Sequence, residues 1–148
     1  MKTSPAGRIF IQKFEGLRLI AYKDIANIWT IGYGHTKGVE EGQVIDLVQA
    51  EEFFTSDLLP GEEAITATKN YLLQFEFDAL SSFIFNIGVN RFKKSTLFRY
   101  LYSKDYLKAA DELPKWNKAR VKGELRPVSG LTRRRSAERN LFLRGIYD

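Results

Sequence analysis

Three residues near the start of the chain have types and spacing that could do chemistry. They are Glu15, Asp24 and Thr30, within FEGLRLIAYKDIANIWTIGYGHT, residues 14–36. Glu15 precedes a glycine that stops a helix, so its carboxyl falls at the negative end of that helix. A carboxyl group held there and shielded from water keeps its proton more readily than one in water, as a general acid must. Asp24 falls in a turn ahead of β-prone residues, where a carboxylate stays wet and ionised. Thr30 opens a glycine-rich strand and offers a hydroxyl to hold a water beside Asp24. Two carboxylates in contrasting environments are what hydrolysis of a glycosidic bond uses. The same three types also suit a frayed helix end, a turn former and a strand residue. Residue type alone leaves both accounts open.

The elements that must position these groups are legible from local signals. Ser4 is the expected N-cap and Pro5 the first helical residue of a helix ending at Gly16, with Ile9, Phe10 and Phe14 on one face. From Leu17 to Gly42, aromatic and β-branched residues alternate with Gly32, Gly34 and Gly38, which predicts short strands and tight turns, a three-stranded sheet in all. Asp46 and Gln49 form a capping box for a helix to about Leu58. Pro60 and Gly61 should interrupt it before a short helix to about Thr68. A helix over about Phe75 to Ile87, apolar at Phe77, Leu80, Ile84 and Ile87, should end at Gly88. Ser95, Asp105 and Thr132 are expected to cap three more, the last running through about Arg144 to Gly145. Its apolar residues Leu141, Phe142 and Ile146 are expected in the core. So small a sheet cannot stand alone and must lean on helices, leaving a seam of the kind that holds ligands.

Composition narrows the classes. The 148 residues are 44% hydrophobic and 14% aromatic, enough for a core and too much for a disordered chain. There is no cysteine and one histidine, so neither a disulfide nor a zinc site is expected, and no metal or cofactor is implied. No apolar stretch is long enough to span a membrane, and the N-terminus lacks the pattern of a signal peptide or anchor. Charge is uneven. Residues 115–148 hold ten Lys/Arg against three Asp/Glu, a net +7, which leaves −2 for the rest of a chain whose total is +5. Such a basic segment suits an anionic partner or a solvated face. No DNA-reading motif accompanies the charge, so no nucleic-acid partner is expected.

The spacing of Glu15, Asp24, Thr30 and the following IGYGHT resembles the phage-type lysozymes, glycoside hydrolase family 24. The resemblance covers nearly the whole chain. FDALSSFIFNIGVNRFKKSTLFRYL (residues 77–101) resembles the family's central helix and following turn, and AADELPKWNKA (109–119) and GLTRRRSAERNLFL (130–143) resemble its C-terminal segments.

The resemblance implies an α+β, lysozyme-like fold: a small lobe with a short antiparallel sheet, a larger mainly helical lobe, and a cleft between them. It implies one domain over 1–148, with the small lobe at about 16–58 and the helical lobe at about 59–148 plus the N-terminal helix 1–15. The implied activity is cleavage of the β-1,4 bond between N-acetylmuramic acid and N-acetylglucosamine in peptidoglycan, with inversion. Glu15 would be the general acid. Asp24 would activate water or stabilise the developing cation, and Thr30 would position the water. Thr36, Phe85 and Asn86 resemble substrate-lining positions. One arginine of the run 133–135, taken as Arg134, would reach the catalytic glutamate and the substrate site. His35 and Asp57 resemble a structural ion pair.

The expected protein is thus a monomeric endolysin of a phage or prophage. It would wait in the host cytoplasm until a holin opens the inner membrane, then digest periplasmic peptidoglycan. The alternative reading is a cationic membrane-disrupting protein acting on anionic outer-membrane lipids through the basic C-terminal helix.

Overall fold

The computed structural model describes residues 1–148. The N-terminal signals act as the sequence suggests. Ser4 Oγ accepts from Gly7 N at 3.0 Å, Pro5 opens helix α1 (Pro5–Glu15), and Gly16 ends it at φ 71°. Strands β1 (Arg18–Lys23) and β2 (Trp29–Gly32) pair antiparallel, with a bulge between Arg18 and Tyr22. Asp46 and Gln49 exchange backbone-to-side-chain hydrogen bonds of 3.0 and 2.8 Å and start α2 (Leu47–Ala67). Then follow α3 (Gln74–Ile87), α4 (Val89–Lys94), α5 (Thr96–Tyr102), α6 (Tyr106–Glu112) and a 3₁₀ turn at Leu113–Lys115. A second hairpin, β3 (Lys118–Val121) with β4 (Glu124–Pro127), precedes α7 (Ser129–Arg144).

Several expectations need correction. The third strand is no strand. Gln43–Ile45 runs beside β1 through Ala21 N→Gln43 O and Ile45 N→Leu19 O, both 2.9 Å, and only Ile20 and Val44 form a bridge. α2 does not break at Pro60 but runs through it for 21 residues. Pro60 removes one helical donor, a loss that packing on both sides of it outweighs. α7 begins three residues before Thr132, which lies inside the helix and accepts from Asn117 Nδ2 at 3.0 Å instead of capping. Ile9 and Phe14 are exposed, whereas Phe10 and Ile11 are buried, because the covered stripe of α1 is centred between those two. Leu141 and Phe142 are buried as expected, but Ile146 follows the left-handed Gly145 and is exposed.

The chain divides into two compact units, Ile11–Leu59 and Met1–Phe10 with Pro60–Asp148. The smaller has its own core of Ile31, Ile45 and Ala50, packed by Ala21, Tyr33, Val39 and Phe53. In the larger, α3 packs on α7, and Phe77, Leu80, Phe83, Ile84, Leu141 and Phe142 are buried.

The ends of the larger unit are tied down by a buried carboxylate. Asp78 on α3 accepts from Ser4 N (2.9 Å), Gln74 Nε2 (3.0 Å), the Ser4 hydroxyl and Tyr147 OH (2.7 Å). Burial, and then the bond to Asp78, push the Tyr147 phenol up to about 12 from an ordinary 10. The folded chain therefore holds this proton where the unfolded chain has lost it. That part of the stability is full below pH 10 and fades as pH rises through 12. Tyr147→Phe is expected to remove the late-ionising step from an ultraviolet tyrosinate titration. It should also cost about 1 kcal/mol at neutral pH, since Asp78 loses one donor.

Candidate active site

Glu15, Asp24, Thr30, His35, Thr36 and Asp57 all lie in the Ile11–Leu59 unit. Glu15 is the last residue of α1, which Gly16 N→Gln12 O (3.0 Å) closes. One turn earlier, Gln12 Nε2 donates to Glu51 of α2 at 2.9 Å, which fixes the end of the helix within this unit. The half-buried Glu15 carboxyl reaches the glycine turn Ile31–His35. Its Oε2 lies 3.5 Å from where a Cβ on Gly34 would sit. Gly34 has φ 85°, a backbone that an L side chain adopts only with strain. Gly34→Ala should lower stability by about 1–2 kcal/mol through that strain. It should also slow turnover, because the new methyl touches the Glu15 carboxyl. Melting and initial-rate measurements check both parts, and a variant as stable and active as wild type would overturn them.

Asp24 sits where the chain turns between β1 and β2. Its Oδ1 accepts from Ala26 N (2.9 Å) and Ile28 N (3.0 Å), and its own N–H donates to Ile28 O at 3.0 Å. Asn27 completes the turn in the left-handed region at φ 64°. One carboxylate oxygen is thereby fixed by two backbone amides, and Oδ2 is left for a ligand or water. Thr30, buried on β2 opposite Tyr22, donates its hydroxyl proton to Ile28 O at 2.9 Å. With the proton committed there, the Thr30 oxygen can only accept from anything else that approaches. Asp24 and Thr30 are thus both acceptors anchored on one residue, Ile28. A water with two protons to give is the partner such a pair suits.

The structure brings His35 and Asp57 together. His35 Nδ1 is 2.8 Å from Asp57 Oδ2, and the imidazole stacks on Phe53 with centroids 4.2 Å apart. Phe53 and Asp57 are one turn apart on α2, so a single helix face grips the ring. The His35 backbone exchanges bonds of 2.8 and 2.9 Å with Ile31 and closes the turn that carries Gly34. Thr36 is exposed, and its carbonyl accepts from Val39 N at 3.3 Å.

Phe85, Asn86 and Arg134 belong to the other unit. Phe85 is half-buried and Asn86 exposed near the end of α3. Asn86 Oδ1 accepts from Arg135 Nη2 at 2.9 Å. Arg134 is buried, with Nε 3.3 Å from Glu138 and Nη2 3.2 Å from Ser82 O. Sequence reasoning missed the group behind it. Glu138, fully buried, accepts from Ser82 Oγ (2.7 Å) and Arg135 Nη2 (3.0 Å), and Arg135 Nε lies 2.8 Å from its other oxygen. The Arg135 guanidinium also lies 5.0 Å over Phe83. The spacing of Arg134, Arg135 and Glu138, four and three residues apart, was the available signal.

Residues 12–138 match the phage lysozyme family. The endolysin of Acyrthosiphon pisum secondary endosymbiont phage 1 is 43% identical over 143 residues, 96% of this chain and 98% of that protein. The endolysin of Bacillus phage B103 is 41% identical over 98% of this chain, which spans 55% of that longer protein. Among solved structures, the endolysin from Escherichia coli O157:H7 phage FAHEc1 superposes with a TM-score of 0.92 at 36% identity, over 100% of this chain and 97% of that one. With a lysozyme-like fold of helices and two short antiparallel sheets, the chain belongs to the phage lysozyme family and is a glycoside hydrolase of that kind.

Proposed function

We propose that this chain is an endolysin acting as a muramidase, cutting the β-1,4 bond between N-acetylmuramic acid and N-acetylglucosamine in peptidoglycan. Within its family, the observation that carries the reading is the pair of committed acceptors. Asp24 Oδ2, a carboxylate oxygen, and the Thr30 hydroxyl oxygen are both left to accept. In this reading they hold one water. As the glycosidic bond breaks, the water oxygen bonds to the anomeric carbon and its proton passes to Asp24. Glu15 gives its proton to the departing sugar oxygen. The two carboxyls exchange protons with solvent before the next turnover, and a water attacking from the opposite face inverts the anomeric carbon.

Thr36, Phe85, Asn86 and Arg134 are proposed to contact or orient the glycan. Host lysis follows if the enzyme is held in the cytoplasm and released to the periplasm by a holin; the family relationship supports that order of events. No helix is long and apolar enough to cross a membrane. The membrane-disrupting alternative loses its main support, since Leu141 and Phe142, which α7 would insert, are already buried. Reducing ends released from purified peptidoglycan test the proposal. New N-acetylmuramic acid ends are expected, and clearing of walls without them would overturn it.

A further inference from the structure

Past Ile11, no side chain in the last turn of α1 is fully buried: Gln12 and Glu15 are half-buried, and Lys13 and Phe14 are exposed. Full burial therefore ends one turn before Glu15, and a polar contact takes over. Gln12 supplies it. Its Nε2 donates to Glu51 Oε1 at 2.9 Å, and its carbonyl accepts from Gly16 N at 3.0 Å, so one residue ties the closing turn of the helix to α2.

The Glu15 carboxyl faces the turn Gly32–Tyr33–Gly34. Both glycines have left-handed backbones, φ 66° and 85°, and bring no side chain to pack. Besides the Ile31–His35 backbone bonds, Tyr33 is the handle of this turn. Its ring lies against Phe54, centroids 5.4 Å apart. Its hydroxyl donates to the same Glu51 Oε1 at 3.4 Å, a longer and weaker bond than that of Gln12. Glu51 and Phe54 are three apart on α2, so one face of that helix takes both the hydroxyl and the ring.

One carboxylate oxygen, with lone pairs for both donors, thus receives the helix that carries Glu15 and the turn that Glu15 faces. Glu15 Oε2 lies 3.5 Å from where a Cβ on Gly34 would sit, next to Tyr33. We infer that Glu51 is a positioning residue for the hydrolysis: it holds helix end and turn together and so sets where Glu15 presents its proton. The inference rests on the reading of Glu15 as the acid, and one arm of its test reads the carboxyl without turnover.

Glu51→Ala is expected to lower kcat on peptidoglycan about ten- to a hundredfold with little change in KM, the effect of a reacting group displaced by about 1 Å. Glu51→Gln keeps an acceptor and should stay within about twofold of wild type. Gln12→Leu, which removes the shorter bond, should lose more than Tyr33→Phe, which removes the longer. Adding Gln12→Leu to Glu51→Ala should bring no further loss, since both remove the same bond. The second arm uses a murein disaccharide with a dinitrophenolate leaving group, which departs as the anion and takes no proton from the enzyme. On it, Glu15→Gln and Glu51→Ala should both lose little. The third arm follows the Gly34 amide signal by NMR through a pH titration. The part of its movement that Glu15→Gln abolishes reports the neighbouring carboxyl. That part should shrink in Glu51→Ala and return in Glu51→Gln.

Wild-type kcat in Glu51→Ala, an equal loss on both substrates, or an undiminished Gly34 response would each overturn the inference. So would a Glu51→Gln enzyme as impaired as Glu51→Ala. If Glu15→Gln loses as much on the aryl substrate as on the wall, Glu15 is not the acid and the mechanism proposed above fails. The Gly34 response then decides by itself whether Glu51 places the carboxyl.

Discussion

Replacing Glu15 by Gln is expected to cut reducing-end release from peptidoglycan about a hundred- to ten-thousandfold, the range by which a positioned acid speeds such a step. The change is isosteric and removes only the proton that, in the proposed mechanism, passes to the departing sugar oxygen. Glu15 stands at the end of α1 with Oε2 3.5 Å from where a Cβ on Gly34 would sit, and glutamine has the same size and shape. The melting temperature should therefore move little while turnover collapses. The hydrogen bonds that fix Asp24 and Thr30 do not involve Glu15, so binding of glycan fragments should survive. A Glu15→Gln enzyme that clears walls at the wild-type rate would remove Glu15 from the mechanism and leave the family assignment standing.

Glu138 should produce the largest loss of stability. It is fully buried, as is Arg135, and Arg134 is nearly so. Truncation to Ala would leave a fully buried guanidinium without its counter-charge, which costs about 3–5 kcal/mol. The Ser82 hydroxyl would lose its acceptor as well. Chemical denaturation should show this loss for Glu138→Ala, and a smaller one for Glu138→Gln, which keeps an acceptor. Because the charges act on each other, the Arg135→Met, Glu138→Met double variant should be less destabilised than the sum of its singles. Additive losses would mean that the pair is not coupled. With Asn86 in its proposed role at the glycan, the variants should also weaken glycan binding, because Arg135 donates to the Asn86 amide oxygen.

How much of this was legible in the sequence depends on the range of the interactions. Ser4 and Pro5 starting α1, Gly16 ending it, the Asp46–Gln49 box, and the stops at Gly88 and Gly145 all involve partners within about one helical turn. Residue type and spacing settle such contacts before any packing occurs. Glu15, Asp24 and Thr30 were visible as candidates, but their types alone did not separate chemistry from plain structural roles. The pattern that singled them out, and that matched His35 to Asp57 across 22 positions, was a family resemblance and not local physics.

Tertiary structure decided the rest. Pro60 looked like a break because a local rule prices only the lost hydrogen bond, whereas α2 continues through it. The β3–β4 hairpin was hidden because its strands are four residues each and mostly exposed, so no apolar alternation marks them. Its one clue is the Lys122–Gly123 turn, both residues with positive φ, which matches the twist of a hairpin. From sequence, Arg134 is expected at the catalytic glutamate, Arg135 has no assigned partner, and neither is matched to Glu138. Only when α7 packs on α3 does Glu138 become a buried anion that draws them inward, and only then does Asn86 acquire a direction. The sequence by itself determined the helix starts at Ser4 and Asp46 and the stops at Gly16, Gly88 and Gly145, where the deciding partners are local. Which oxygen of Asp24 is free, which way the Thr30 hydroxyl points and what Asn86 offers depend on hydrogen-bond partners fixed by the folded chain, and residue identity does not specify these.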